Sequence, residues 1–194
     1  MRIVAGAYRG RSLVSPEGEG TRPTADRARQ AVFNVLEHAP WTEGLADLRV
    51  IDLFAGSGAL GLEALSRGAA FCLFVETDAA ARGAIRDNVE ALGKGELFGR
   101  TRIHRRDATD LGPKPAGDGD PFDLAFLDPP YGQGLGERSL AQLAQGGWLA
   151  EGALAVLERG AAEPDPQTPG FERLDARTYG AARVYFLRYS TSTA

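Results

Sequence analysis

Cysteine is almost missing from this sequence. Cys72 is the single one, so no disulfide can close within the chain. With only two histidines beside it, a zinc site of the Cys/His type has no ligand set. No apolar run approaches the ~20 residues a membrane-spanning helix needs. The start, Met1-Arg2-Ile3-Val4-Ala5-Gly6, has no long apolar segment ending in a small-residue cleavage site, so no signal peptide is expected. The 25 glycines follow no three-residue period, which excludes collagen. Lysine is scarce, with 20 of the 22 basic residues being arginine. The expectation is a soluble, cytoplasmic monomer with no bound metal and no membrane contact.

What is present is ordinary globular composition. Of 194 residues, 43 % are hydrophobic and 25 % charged, which argues against disorder and suits one domain over 1–194. The net charge of −4 opposes bulk attraction to nucleic acid. Arginine forks onto phosphate and stacks on bases where lysine offers a point charge. The same bias is what a GC-rich coding composition produces.

Along the chain, Arg2-Ile3-Val4 and Arg11-Ser12-Leu13-Val14 read as a short β-hairpin flanked by Gly6 and Gly10. Residues 15–23 form a Pro/Gly loop. Thr24 is the expected N-cap of a helix over 25–38, in which Ala28, Val32, Val35 and Leu36 share a face. Short apolar strands are then predicted at 49–54, 71–76, 101–105, 122–127 and 152–158, alternating with helices over 59–67, after Asp78, and around Leu140, Leu143 and Trp148. Residues 171–178 and 182–189 close the chain as a hairpin around Gly180. Alternating strands and helices imply an α/β, Rossmann-like open sheet, mostly parallel and covered on both faces. The last two strands have no helix between them, so one of them runs antiparallel.

Three places carry chemistry. Asp52-Leu53-Phe54-Ala55-Gly56-Ser57-Gly58-Ala59-Leu60-Gly61 is a strand, a G-x-G-x-x-G turn and a helix start. Glycine lets a ligand approach the backbone and leaves amides pointing at it. Asp52, Phe54, Ala55, Gly56, Ser57 and Gly58 are the candidate cofactor contacts. The pattern alone fits a dinucleotide, a nucleoside cofactor such as S-adenosylmethionine, or a tight structural turn. Glu76, at the end of the second strand with Thr77 beside it, can accept hydrogen bonds from two ribose hydroxyls. Asp107 can accept from an adenine amino group while Ala108 offers its amide, or Asp107 can simply cap its loop.

The third place is Asp128-Pro129-Pro130-Tyr131, at the carboxyl end of the 122–127 strand, where open α/β sheets place ligands. Two prolines fix φ and remove two donors. A rigid, acceptor-only corner suits a planar NH2 group. The Asp128 carboxylate and the Pro129 carbonyl can each take one N–H while Tyr131 stacks on the base at ~1–3 kcal/mol; the plainer alternative is a Pro-Pro turn that ends the strand for steric reasons. The nitrogen lone pair then faces a methyl donor, and alignment with electrostatic help does the rest.

The Gly-rich turn followed by Asp128-Pro129-Pro130-Tyr131 resembles the amino-group branch of the S-adenosylmethionine-dependent methyltransferases. More narrowly, Arg2-Ile3-Val4-Ala5-Gly6, Tyr8-Arg9-Gly10-Arg11, Arg22-Pro23-Thr24, Asp26-Arg27 and the run Asp52 to Gly68 resemble the ribosomal RNA small-subunit methyltransferase D family. That likeness spans roughly residues 1 to 131. It implies the seven-stranded methyltransferase sheet with an antiparallel last strand, S-adenosylmethionine as cofactor, and methylation of the exocyclic N2 of one guanine in 16S ribosomal RNA (guanine 966 by the family likeness). It makes residues 1–38 an RNA-contacting extension, with Tyr8, Arg9 and Arg11 on the RNA rather than merely protecting a solvated edge strand by charge, and Arg22, Pro23 and Thr24 near the cofactor or target base. The acidic net charge fits a substrate presented on an assembled small-subunit particle. The residues leave rivals in view: a DNA adenine-N6 or protein glutamine-N5 methyltransferase, a nicotinamide-dependent oxidoreductase, and a non-catalytic nucleotide-binding module.

Overall fold

The computed structural model describes residues 1–16, 23–93 and 95–192. Among these, seven strands form a sheet in the order β3-β2-β1-β4-β5-β7-β6. The chain divides into two compact units, Met1–Arg105 and Arg106–Ala194.

In the first unit, β1 (Arg49–Leu53) pairs in parallel with β2 (Phe71–Val75), and β2 in parallel with β3 (Thr101–His104). β1 and β2 are each five residues with four buried, as expected of strands covered on both faces, where alternation gives way to continuous apolar runs. The connecting helices are α2 (Ala59–Ser66) and α3 (Ala79–Gly93), with α1 (Pro23–His38) preceding β1. Six consecutive residues of α2, Gly61 to Ser66, are buried. A methyl group at Gly61 would meet Cys72 Sγ and a Phe74 ring carbon, each at 2.5 Å, so this glycine is what lets α2 lie close on β2. Burial pushes the Cys72 thiol well above its ordinary pKa, and the residue is core, as its apolar strand implies.

The second unit begins with β4 (Phe122–Leu127), α4 (Leu135–Gln145) and β5 (Leu149–Gly160), and β5 runs parallel to β4. Phe122 pairs with Leu149 but Leu124 with Leu154, so β5 makes an excursion at Gly152, φ 78°. This explains why β5 starts three residues before the strand expected at 152. β6 (Phe171–Tyr179) and β7 (Ala182–Tyr189) form the expected hairpin, turning at Gly180 with φ 59°. β7 inserts antiparallel between β5 and β6, which is the predicted reversal of the last strand.

Two expectations need correction. Trp148 is not helical: α4 ends at Gln145, and a turn with Gly147 at φ 69° follows. The indole is fully buried, donates to the Gly112 carbonyl at 2.8 Å and stacks on Phe122, a tertiary demand that overrides helical spacing. Thr24 is not the N-cap, because α1 starts at Pro23, the position proline favours in a helix. Its side chain, like all of Arg22, lies outside the described residues. The N-terminal hairpin forms as expected, though it is short: Arg2 and Ser12 make an antiparallel bridge, Ile3 N–H donates to the Arg11 carbonyl and Leu13 N–H to the Met1 carbonyl, both at 2.9 Å. The Val4 and Ala5 amides donate to Glu63, Ala7 to the Ser66 carbonyl and Tyr8 to Ser66 Oγ.

Candidate active site

In the first unit the candidate site is the turn after β1. Phe54 (φ 57°), Gly56 (φ 55°) and Gly58 (φ 79°) all lie in the left-handed region, and Gly58 is the N-cap of α2. A non-glycine residue with positive φ marks a turn held by its surroundings. A Cβ on Gly58 would press on Phe74 at 3.2 Å and Ile85 at 3.3 Å, in a backbone conformation that L side chains rarely adopt. Asp52, 1 % exposed, accepts the Gly61 amide at 3.0 Å. It thus locks the first turn of α2 onto β1. Gly58 donates to the Ala55 carbonyl. By helix geometry the amides of Ala59 and Leu60 are then the first-turn donors available to a ligand.

Glu76 follows β2 and is half-buried. One carboxylate oxygen accepts the Gly56 amide and the other the Asp78 amide, both at 2.9 Å. Asp78 in turn accepts the Ala81 amide at 2.7 Å and caps α3, as its position predicts. Thr77 is exposed, and its carbonyl takes the Arg82 guanidinium. An ionised carboxylate offers about four lone-pair sites. Glu76 therefore holds the glycine turn and keeps capacity for two ribose hydroxyls.

On the same unit, Arg9 and Arg11 are exposed and Tyr8 is half-buried. Their arm is fastened by residues that the sequence reading passed over. Glu63, fully buried, accepts Val4 N–H at 2.9 Å and Ala5 N–H at 3.0 Å. It also pairs with Arg67 at 2.9 Å and, beyond hydrogen-bond reach, with Arg29 at 3.6 Å. Ser66 Oγ donates to the Ala5 carbonyl at 2.6 Å and accepts from Tyr8 N–H. The signal was there: a lone acid inside the apolar run Ala59-Leu60-Gly61-Leu62-Glu63-Ala64-Leu65 needs a buried partner.

The other candidate residues lie in the second unit. Asp107 is exposed, and one of its oxygens accepts both the amide and the hydroxyl of Thr109, at 2.8 and 2.7 Å. These bonds, the hydroxyl first, hold its carboxyl below the usual Asp value. The loop-capping reading is thus realised through one oxygen. Ala108 is buried.

After β4, Asp128 and Pro130 are exposed, Pro129 is buried, and Tyr131 is 45 % exposed. The Tyr131 hydroxyl donates to Glu158 on β5. Glu163 accepts the amides of Gly132 (2.9 Å) and Gly160 (3.2 Å) and pairs with Arg159 at 2.9 Å. Two glutamates absent from the sequence reading therefore fasten the turn to the end of β5. Burial first, then the Glu158 carboxylate, keeps the Tyr131 phenol protonated well above its ordinary range. Among the described residues, no group of three or more His, Cys, Asp or Glu is arranged to hold a metal ion, and no helix is long and apolar enough to cross a membrane.

A sheet of this order with β7 reversed, entered by a glycine turn after β1, defines the class: the S-adenosylmethionine-dependent methyltransferase fold. SMU.776, a methyltransferase-fold structure solved in complex with SAH, shares that fold at a TM-score of 0.62 and 16 % identity, over 87 % of this chain and 50 % of that one. The solved structure of yhhF from Escherichia coli matches with a TM-score of 0.81 and 32 % identity, over 99 % of each chain. The ribosomal RNA small subunit methyltransferase D of Escherichia coli K12 is 40 % identical over 158 residues, 81 % of this chain and 74 % of that protein. The family model described as Conserved hypothetical protein 95 matches residues 1–188. The chain belongs to this family, that of the ribosomal RNA small-subunit methyltransferase D proteins.

Proposed function

We propose that the chain transfers a methyl group from S-adenosylmethionine to the exocyclic N2 of a guanine in 16S ribosomal RNA, the guanine at position 966 by family likeness, on an assembled small-subunit particle. The observation that carries this reading is the corner after β4. Asp128 is exposed at its mouth, Pro129 and Pro130 contribute no N–H, and Tyr131 presents a part-exposed ring clamped through its hydroxyl. Such a corner accepts hydrogen bonds and makes none toward a ligand, which selects an NH2 edge over a carbonyl edge.

The cofactor would be held by Glu76 at its ribose, by the backbone of Ala55 to Gly58 and by the first-turn amides of α2. The fit is supported by the side-chain-free Gly58 and by the spare lone pairs on Glu76. When bound, S-adenosylmethionine supplies an electrophilic sulfonium methyl. Asp128 and the Pro129 carbonyl each accept one N–H of the guanine amine, drawing its nitrogen out of conjugation with the ring. Tyr131 stacks on the base and fixes its plane. With the nitrogen so held, it would take the methyl that the cofactor supplies, S-adenosylhomocysteine would leave with the C–S electron pair, and the proton released from the nitrogen would pass to water. Arg9 and Arg11 contact the RNA backbone, and Tyr8 stacks on the RNA alongside them. Arg22 and Thr24 complete the RNA side, Asp107 and Ala108 the adenine side.

The test is mass mapping of ribosomal RNA nucleosides from cells with and without the protein. One N2-methylguanosine is expected to vanish from 16S RNA in its absence and to return when purified protein and cofactor are added to the isolated small subunits. Identical nucleoside maps would refute the reading.

A further inference from the structure

Asn88 stands on the buried face of α3 in line with Ala81, Ala84, Ile85 and Leu92, and is 1 % exposed. An amide at a core position is costly unless its polar atoms are satisfied. Here they are, by two separate segments. Asn88 Oδ1 accepts the Val14 amide at 2.8 Å. Its Nδ2 donates one N–H to the Val14 carbonyl and the other to the Ser57 carbonyl, both at 2.9 Å. The first partner ends the N-terminal arm; the second is the middle of the Gly56-Ser57-Gly58 turn. Ser57 Oγ also lies 3.9 Å from Met1 Sδ at the start of the arm.

We propose that Asn88 is a positioning residue that couples the arm to the cofactor turn, so that RNA and cofactor bind cooperatively. This rests on the functional reading above, in which the arm meets RNA and the turn meets the cofactor. The two N–H bonds of Asn88 share one planar group, so a shift of Val14 away from α3 tilts the amide off Ser57, and the reverse. The other fastenings, Glu63 and Ser66, hold residues 4 to 8 on α2. Asn88 is the residue that joins the far end of the arm to the turn itself. A ligand that orders one partner leaves less to be ordered by the second, and the resulting cooperativity is reciprocal.

Equilibrium dialysis of labelled S-adenosylhomocysteine, with and without saturating unmethylated small subunits, measures the coupling. In the wild type the subunits are expected to tighten S-adenosylhomocysteine binding by about fivefold or more. Asn88→Asp keeps the acceptor for Val14 N–H and removes both donors. Asn88→Leu fills the same core volume without polar atoms. In either variant the ratio of the two dissociation constants is expected to fall to about one, a change that loss of stability alone does not produce in folded protein. A wild-type ratio of one, or an unchanged ratio in the variants, overturns the proposal. Should neither variant fold, amide exchange at Val14 in the wild type decides. S-adenosylhomocysteine is expected to slow it several-fold, and no change overturns the coupling. A wild type that binds neither ligand refutes the functional reading and this inference together, an outcome distinct from binding both independently.

Discussion

Glu76 accepts the backbone N–H of Gly56 at 2.9 Å, which makes the acid after β2 and the glycine turn after β1 one rigid piece. Removing the carboxylate therefore costs twice: the ribose hydroxyls lose their acceptor and the turn loses a brace. Glu76→Ala is expected to weaken S-adenosylhomocysteine binding by about 1–3 kcal/mol, the range for a lost charged hydrogen-bond partner. Calorimetry checks it, and an unchanged dissociation constant would remove Glu76 from the cofactor site.

Asp128 makes the opposite kind of contribution. It lies on the exposed corner that we assign to the amine, so Asp128→Ala is expected to abolish turnover while leaving cofactor affinity within a few-fold. Single-turnover methyl transfer to small subunits, measured beside S-adenosylhomocysteine binding, separates the two effects. A near-normal rate takes Asp128 out of the mechanism.

The parts of the molecule legible in the sequence are those whose causes are local. Val50 to Leu53 and Phe71 to Val75 are apolar runs of strand length, and Gly56 and Gly58 sit where the backbone must turn left-handed. The reversal of the last strand followed from the short link at Gly180. The strand order, with β7 between β5 and β6, did not, because strand pairing is tertiary. The fastenings of the arm were equally hidden. Glu63 reaches Val4 across 59 positions and Asn88 reaches Val14 across 74, and neither spacing leaves a periodic mark. Trp148 misled because an indole eight residues beyond Leu140 fits a helix face as well as it fits the buried slot against Phe122 that it occupies.

Glu63 is expected to matter for stability before chemistry. It is fully buried beside Arg67 and Arg29, which are themselves nearly buried. Deleting the acid leaves both guanidinium groups and two arm amides without it. Glu63→Ala is expected to cost about 3–5 kcal/mol, the usual penalty for breaking a buried pair from one side. Urea denaturation measures this, and a loss below about 1 kcal/mol would show that solvent replaces the carboxylate, contrary to its burial.

Arg9 and Arg11 are exposed on a fastened arm, so their joint replacement by alanine is expected to leave the fold and cofactor affinity intact. RNA methylation should slow, and the dependence of RNA affinity on salt should flatten as phosphate contacts are lost. Binding to small subunits across a salt series gives both quantities. If affinity and slope are both unchanged, the arm is structural.

The Tyr131 phenol offers a pH test of the clamp at the corner. Its folded pKa is raised by burial and then by the Glu158 carboxylate that accepts its proton. For a raised pKa the stabilising contribution is complete below the unfolded phenol value, about 10, and is lost only as pH rises toward the higher folded value. Base-stacking by a neutral, clamped Tyr131 is accordingly expected to persist through pH 10. Glu158→Gln removes the charge and is expected to bring the phenol back toward its ordinary range. The ultraviolet difference between each protein and its Tyr131→Phe counterpart, followed through an alkaline titration, isolates this one phenol among five tyrosines. A Tyr131 that ionises at its ordinary value in the wild type would mean that the Glu158 clamp does not hold the ring in solution.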